Sequence, residues 1–489
     1  MIQDIKNTLK QSAIYGLSRI SVKLVAFIIT PIISTYFTVS EYGILDRFER
    51  FWQIIFAISL FGIETALLRW YTLITDEYRK KAFIFTILSF LIIVNIILIL
   101  FGYIFSRQLS LLIFDSAIYS SVILYTFIIA CFEALMVIPL SILRAKNKPA
   151  LYLIITFTST IITLLLQLYV LFYTENKLSG IFISKFIAPA TVFLFLIPFL
   201  INNIKLHFDK KMIIEVIRFS FPLMLTGVVS TLLNSVNRFI LGFLGQPNDV
   251  GLFGLASNIS GIITFLLISP FQLAFNAIFW QKLKDDNAQR YYTKSMTYSV
   301  FLYIWAAVCL SLLIPYIIKI YIPTNTAYWG ATNLIPILSM SLVFYGMLTI
   351  AYMSYHHAKR NDLIFYFQTG TLILNIVLNY LLIPHFKMFG AALSTFFSFG
   401  VLIIIMYYFS RQFYFIKYES MKLVIMMVLG FVLIYSPYLL KIEIKAVDII
   451  LRIVCCLLFP VFLYFFRIYD QNEIETFKKF ILKYIKIHA

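Results

Sequence analysis

The stretch AFIFTILSFLIIVNIILILFGYIF, residues 82–105, contains no charged side chain along its whole length. A helix of this length, at about 1.5 Å per residue, crosses a hydrocarbon core about 30 Å thick. Similar blocks recur through the 489 residues, of which 61% are hydrophobic and 13% are charged. Soluble domains carry about 25% charged residues. The composition therefore predicts an integral membrane protein, and the long apolar blocks favour helices over the alternating strands of a barrel.

Charged or turn-rich breaks divide the chain into about fourteen predicted transmembrane helices. Their predicted bounds are 12–37, 50–72, 82–105, 117–143, 150–173, 179–202, 219–244, 254–280, 296–321, 333–356, 363–384, 389–410, 422–440 and 449–468. The predicted fold class is all-α.

The formal net charge of +18 would suggest a nucleic-acid partner if the chain were soluble. Here the position of the charges matters more than their sum. Of the 40 Lys and Arg residues, 26 lie in loops on the side of the N-terminus, seven lie on the other side and seven lie within predicted helices. Because cytoplasmic loops are enriched in Lys and Arg, both termini are predicted to be cytoplasmic, and no nucleic-acid partner is predicted.

Two short patterns occur twice in the chain. RAKNKPALY at 144–152 is echoed by HAKRNDLIF at 357–365, and SEYGIL at 40–45 is echoed by NDVGLF at 248–253. In both cases the second copy lies about 210 residues after the first, so predicted helices 1–6 correspond to predicted helices 7–12. Six is an even number of crossings, so the two halves enter from the same side. This predicts a parallel repeat about a pseudo-twofold axis along the membrane normal.

The repeat divides the chain into two six-helix lobes and three smaller parts. The predicted parts are an N-lobe at 1–204, a cytoplasmic linker at 205–218, a C-lobe at 219–410, a terminal helix pair at 411–471 and an amphipathic tail at 472–489. The tail places lysines opposite an apolar face, which is typical of a helix on the membrane surface. The interface between the lobes is the expected transport site.

The first predicted helix carries Arg19 and Lys23 one turn apart. Measured from a cytoplasmic entry near Ser12, they lie about 10 Å and about 16 Å into the bilayer. Glu64 in the second helix and Glu133 in the fourth reach similar depths, so we expect these carboxylates to be the counter-ions. A structural ion pair is the alternative role for this group.

Lys185 and Arg238 have no acidic residue predicted at their depth. With Arg69 included, five cations exceed two anions by three within the spans. A charge at a helix centre costs about 2.5 to 3.5 kcal/mol, so such residues usually face a water-filled cavity. The excess predicts a path for anions. Snorkelling towards the interface is the alternative for these basic residues.

Several functional classes lack their sequence signals. No glycine is followed by lysine, which excludes a phosphate-binding GxxxxGK loop. No cluster of His, Cys or carboxylate has metal-ligand spacing, and the four cysteines lie inside or at the ends of apolar blocks. We therefore predict no metal or organic cofactor, and expect the energy to come from an ion gradient or from the substrate.

The opening NTLKQSAIYGLSRISVKLVAFIITPIISTYFTVSEYGILDRF at 7–48 and GIETALLRWY at 62–71 resemble the start of bacterial polysaccharide flippases of the Wzx type. These proteins belong to the multidrug/oligosaccharidyl-lipid/polysaccharide (MOP) superfamily and handle O-antigen, capsule or teichuronic-type glycans. The loop after the fourth helix and the terminal helix pair extend the resemblance over nearly the whole chain. The resemblance implies a MATE-like fold and a transporter rather than an enzyme.

The resemblance implies that an undecaprenyl-pyrophosphate-linked oligosaccharide is moved from the inner to the outer leaflet of the bacterial plasma membrane by alternating access. The implied partners are this lipid-linked oligosaccharide, membrane lipids, a polysaccharide polymerase and a chain-length regulator. Related flippases have a cation-lined central cavity. Carried onto this sequence, Arg19 and Lys23 would meet the pyrophosphate and Lys185 would receive the anion further out. Arg238 is a further cavity candidate whose role the resemblance leaves open.

Glu64 and Glu133 are candidates for linkage to H⁺ or Na⁺, on the basis of their depth. Three alternative functions remain open at this point. They are a cation-coupled multidrug exporter of the same superfamily, a flippase for a lipid-linked peptidoglycan precursor, and a membrane-embedded polysaccharide polymerase or transferase. A cavity with unpaired carboxylates would favour the drug exporter.

Overall fold

A computed structural model describes residues 25, 27–245, 247–282, 287–440 and 444–465. Within these ranges the chain forms helices and no strand. Thirteen helical spans there are long and apolar enough to cross a membrane. A shorter helix, α1 (Phe27–Tyr36), is the described part of the predicted first helix. Each predicted helix from the second to the fourteenth overlaps one of the thirteen spans, which confirms the all-α membrane fold.

Fifteen helices follow α1 in the described ranges. They are α2 (Val39–Leu60), α3 (Ile63–Leu73), α4 (Glu77–Phe114), α5 (Ser120–Ala145), α6 (Pro149–Tyr173), α7 (Lys177–Asn202), α8 (Lys210–Leu244), α9 (Pro247–Ser260), α10 (Ser269–Lys282), α11 (Ala288–Tyr321), α12 (Ile335–His357), α13 (Asn361–Phe386), α14 (Met388–Ser410), α15 (Ser420–Leu440) and α16 (Lys445–Phe465). The helices α2 and α3 form one span, and α9 and α10 belong to another with a π-helical turn between them.

The start of α2 differs most from its predicted position at residue 50. Thr38 and Glu41 form a capping box: the Thr38 hydroxyl oxygen accepts from the Glu41 backbone N–H at 3.3 Å, and the Glu41 carboxylate accepts from the Thr38 backbone N–H at 2.8 Å. This arrangement satisfies N–H groups that a helix start otherwise leaves without partners. The helix therefore begins at Val39, and the charged segment 46–50 is part of a span.

Arg47 and Arg50 are two of the seven basic residues counted in loops on the side opposite the N-terminus, and this placement is wrong. Both belong to α2. The Arg47 side chain is buried, donates to the carbonyl oxygen of Ile113 at 3.0 Å and lies over the Phe114 ring. A further boundary difference is the start of α8 at Lys210, which lies inside the predicted linker 205–218.

Two glycines at equivalent positions of the repeat meet where α2 crosses α9. A Cβ on Gly251 would lie 2.0 Å from the carbonyl oxygen of Val39, and a Cβ on Gly43 would lie 2.8 Å from the backbone nitrogen of Gly251. Real Cβ atoms do not approach backbone this closely. The backbones of α2 and α9 are therefore in direct contact. The crossing is formed by the two equivalent segments of the repeat.

Among the described residues, the largest shared hydrophobic core of the two lobes lies at the predicted outer face. One buried cluster there combines Phe48 and Phe182 of the N-lobe with Val250 and Leu334 of the C-lobe. Towards the predicted cytoplasmic face, the described C-lobe residues and the terminal pair form a separate cluster. The N-lobe forms two others, one of which includes the first turns of α8. Apart from α8, the described parts of the lobes therefore share a core at one face and pack separately at the other.

Candidate functional site

A cavity of about 820 Å³ lies between the two lobes. Its wall comes from α1, α2, α5, α6 and α7 on the N-lobe side and from α8, α9, α10, α11, α12, α14 and the π-helical turn on the C-lobe side. This volume falls in the range of about 300 to 1,000 Å³ that is typical of small-molecule sites. Six described charged side chains line it, namely Asp46, Glu49, Arg50, Glu133, Lys185 and Arg238.

Asp46 binds two arginines that come from different lobes. Its Oδ2 accepts a hydrogen bond from Nε of Arg238 at 2.7 Å, and its Oδ1 accepts from Nη2 of Arg50 at 3.1 Å. Asp46 and Arg238 are only 4% and 5% exposed. The same nitrogen of Arg50 also donates to Oδ1 of Asn258 at 3.0 Å, so α2 is tied to α9 as well. One carboxylate thus balances two guanidinium groups at the contact between the lobes.

A second charged cluster lies on the N-lobe wall. Lys185 of α7 forms an ion pair with Glu49 of α2, and its ammonium group lies 5.7 Å from the ring centre of Trp52. Glu133 of α5 interacts electrostatically with both Lys185 and Glu49. Among the described residues, no basic side chain lies within 4 Å of the Glu133 carboxylate. Lys185 is thus paired with Glu49 and interacts with Glu133 only at longer range.

The expectation that Lys185 and Arg238 lack acidic partners is therefore wrong. Their partners, Glu49 and Asp46, lie in the part of α2 that was predicted to be an outer loop. The described wall carries three acidic and three basic side chains, so the predicted cation excess is not found within it. The capping-box pattern Thr38-x-x-Glu41 is the signal that would have placed both acids inside the span.

The remaining predicted site residues lie elsewhere. Glu64 is in the first turn of α3, does not line the cavity and forms an ion pair with Arg144 of α5. Arg69 lies over the rings of Trp70 and Phe219, with its guanidinium carbon 5.0 Å and 4.7 Å from the ring centres. Arg19 and Lys23 lie outside the described residues, as does the tail 472–489.

Neutral amides hold the C-lobe wall together beside the cavity. The Asn379 amide donates to Oδ1 of Asn237 at 2.6 Å, and the Asn237 amide donates to Oγ1 of Thr395, also at 2.6 Å. The Asn375 amide donates to Oγ of Ser398 at 3.0 Å. These bonds join α8, α13 and α14. Buried amides with partners of this kind fix the relative positions of their helices.

Two lobes surround a central charged cavity and a terminal helix pair follows them, as the predicted MATE-like fold requires. Residues 8–275, more than half of the chain, match the family model described as polysaccharide biosynthesis protein. The chain belongs to this family. A second model, MatE, matches residues 222–381. Both matches confirm the resemblance predicted from the sequence.

Two curated relatives come from Haemophilus influenzae (strain ATCC 51907 / DSM 11121 / KW20 / Rd). The Lsg locus putative protein 1 is 22% identical over 284 residues, which are 56% of this chain and 67% of the relative. An uncharacterized membrane protein is 22% identical over 295 residues, which are 58% of this chain and 67% of the relative.

Solved structures of two transporters share the fold. The lipid II flippase MurJ in an inward closed conformation superposes with a TM-score of 0.72 at 18% identity, covering 94% of this chain and 100% of that one. An inward-facing multidrug resistance MATE family transporter of the MOP superfamily superposes with a TM-score of 0.67 at 10% identity, covering 81% of this chain and 93% of that one. The MATE-like fold is therefore confirmed.

Proposed function

We propose that this protein is a flippase that moves an undecaprenyl-pyrophosphate-linked oligosaccharide from the inner to the outer leaflet of the bacterial plasma membrane. The main support is that three basic side chains, together with three acidic ones, line a cavity between two lobes whose described residues share a core at one face and, apart from α8, pack separately at the other. A pyrophosphate with about two negative charges enters hydrocarbon only at high cost. The polyprenyl chain can stay in lipid, so only the head group needs the cavity. Membership of a polysaccharide biosynthesis family agrees with this cargo.

The ion pair between Arg238 and Asp46 gives the charges a role in alternating access. It crosses from the C-lobe to the N-lobe, so separating the lobes at the outer face must break it. A buried arginine without its carboxylate then needs another anion. A pyrophosphate in the cavity would supply that anion and so favour the outward-open state, because a ligand shifts an equilibrium towards the state that it binds better.

The other site residues take roles that follow from their positions. We assign Lys185 to the anion path, where the pyrophosphate competes with Glu49 for its ammonium group. Arg19 and Lys23 would add positive charge to a wall that is otherwise balanced. Glu133, which has no basic group within 4 Å in the described part, is the first candidate for binding H⁺ or Na⁺. Glu64 would contribute to coupling only through its ion pair with Arg144.

Replacing Arg19 and Lys23 together with Gln is expected to slow flipping at least tenfold. Each lost hydrogen bond to a charged group is worth about 1.5 to 3 kcal/mol. The measurement is the initial rate at which undecaprenyl-pyrophosphate-linked N-acetylglucosamine is flipped between the leaflets of vesicles that contain the purified protein. Lys319→Gln is the matched control, because Lys319 lies outside the cavity wall over the Trp329 ring. Equal rates in the double variant and the control would contradict the anion path.

We also propose that the joined face is external and that both termini are cytoplasmic. A cysteine introduced at Ser40 is then expected to react with an impermeant thiol reagent added outside intact cells. A cysteine at Asn147, an exposed residue at the opposite face, is expected to react only after the cells are opened. The reverse pattern would overturn the orientation. A polymerase and a chain-length regulator would act on the product at the external face.

One observation favours a multidrug exporter as a second candidate. Glu133 offers the cavity a carboxylate with no described ion-pair partner, and such a group suits a cationic drug. The MatE match agrees with this reading. Ethidium efflux from cells that express the protein separates the two candidates. The flippase proposal expects none, and efflux that is lost on Glu133→Gln would favour the exporter.

A further inference from the structure

The helix α6 presents a row of polar side chains to the cavity. The row consists of Thr156, Ser159, Thr160, Thr163 and Gln167. Spacings of three and four residues place them on one face of the helix. From the first to the last, the row rises about 16 Å at 1.5 Å per residue, which is roughly half the thickness of a hydrocarbon core.

Gln167 is a buried polar group that faces the cavity without a partner. Its side chain is 6% exposed, and among the described residues it has no hydrogen bond. An amide carries two donor hydrogens and an acceptor oxygen. Its amide atoms are not fully enclosed, so they are accessible from the cavity. Gln167 is therefore placed to bind a polar molecule that enters the cavity.

The threonines of the row can offer this molecule acceptors. The hydroxyl groups of Thr156, Thr160 and Thr163 donate to the carbonyl oxygens four residues earlier, at 2.9, 2.7 and 2.9 Å. Their single hydrogens are thus already used, and the lone pairs of their oxygens remain. A ligand group that pairs with these three threonines must donate hydrogen bonds, while Ser159 and Gln167 can also donate to its acceptors. A deprotonated pyrophosphate has only acceptors, and a polyprenyl chain has neither donors nor acceptors.

The equivalent helix of the C-lobe, α13, carries polar residues at the positions of this row, but there they are buried. Counted from the first residue of each helix, four positions of the row in α6 correspond to polar residues in α13, which are Gln368, Thr371, Asn375 and Asn379. All four are buried, and three of them donate to side chains of other C-lobe helices. In the C-lobe the polar row holds helices together, whereas in the N-lobe it lines the cavity.

We propose that the polar row of α6 is a subsite for the sugar part of the cargo, reading its hydroxyl and acetamido N–H groups. This proposal rests on the proposed function and adds a second contact region to the cavity. The basic side chains take the pyrophosphate, and the row of α6 takes the glycan. Discrimination between glycans then depends on where their hydroxyl groups meet this row.

The test compares two lipids that differ only in the sugar. Full-length protein in nanodiscs is titrated with undecaprenyl pyrophosphate and with undecaprenyl-pyrophosphate-linked N-acetylglucosamine. The wild type is expected to bind the sugar-bearing lipid more tightly. The variant T156V/T160V/T163V/Q167L keeps the side-chain volumes similar and is expected to lower this preference about tenfold, which is about 1.4 kcal/mol. The single variants T163V and Q167L, each expected to lower it about twofold to fivefold, serve if the combined variant does not fold.

Thr158→Val is the matched control, because Thr158 is exposed on α6 and does not line the cavity. It is expected to leave the preference unchanged. An unchanged preference in the row variants would overturn the subsite, and so would an equal loss of affinity for both lipids. The proposed cargo is judged separately, by whether the wild type binds undecaprenyl pyrophosphate more tightly than undecaprenol. Whatever that comparison shows, the subsite proposal is judged by whether the wild type prefers the sugar-bearing lipid and whether the row variants lose this preference.

Discussion

Gly251→Ala is expected to force the two lobes apart at the predicted outer face and to reduce transport at least tenfold. The added Cβ would lie 2.0 Å from the carbonyl oxygen of Val39, and neither backbone can move without shifting α2 or α9. A cysteine at Ser34, whose side chain is 1% exposed in the closed state, reports the separation. With the four native cysteines replaced, labelling of this cysteine from outside is expected to rise from near zero to near completion.

Gly370→Ala is the matched control for this substitution. Gly370 lies inside α13, and a Cβ there would meet no atom within 4 Å. Alanine in a helix interior is more favourable than glycine by about 0.5 to 1 kcal/mol. We therefore expect unchanged labelling at Ser34 and a slightly higher unfolding temperature. If Gly251→Ala behaves like this control, the close crossing of α2 and α9 is not what holds the outer face closed.

Asp46→Ala is expected to lower the free energy of unfolding by about 3 to 5 kcal/mol, because it leaves the buried guanidinium group of Arg238 without its carboxylate. Arg238 is 5% exposed and is bound by Asp46 at 2.7 Å. The measurement is denaturant or thermal unfolding of the purified protein. Asp362→Ala is the control, because the ion pair of Asp362 with Arg360 is exposed at 47% on both sides and is expected to contribute nothing measurable.

A double variant separates the ion pair from other effects at Asp46. Asp46→Ala combined with Arg238→Met removes both charges and is expected to lose less stability than the sum of the single variants. Contacting residues typically show such coupling of about 0.5 to 3 kcal/mol. Transport should stay low in the double variant, because the cation that we assign to the opening step is gone. Additive losses would mean that the two side chains contribute independently.

The transmembrane fold could be predicted because each apolar block is longer than a strand and long enough to cross a bilayer. The lobes could be predicted because two short patterns repeat at nearly constant spacing. The start of α2 could not be placed from its charges, since a segment with Asp46, Arg47, Glu49 and Arg50 has the composition of a loop. The capping box of Thr38 and Glu41 does mark the start of α2, but a pattern of only two residues is easily overlooked.

The partners of the charged side chains were harder to predict than their depths. Depth follows from counting along a helix, whereas the direction of a side chain around the helix depends on packing. The partner of Arg238 lies 192 positions earlier in the chain, in the other lobe. The row on α6 was missed for a different reason. Hydroxyl side chains in apolar helices usually bond to their own backbone, and the cavity beside these is visible only in three dimensions.

The helix that carries this row contributes little to the buried interior, since Ile155, Val170 and Leu171 are its only buried apolar side chains among the described residues. Substitutions along its polar face therefore cost the fold little. A lineage that changes its surface glycan could accumulate such substitutions without first gaining stability elsewhere. For the same reason, grafting this one helix between homologues is a direct route to a protein of altered selectivity.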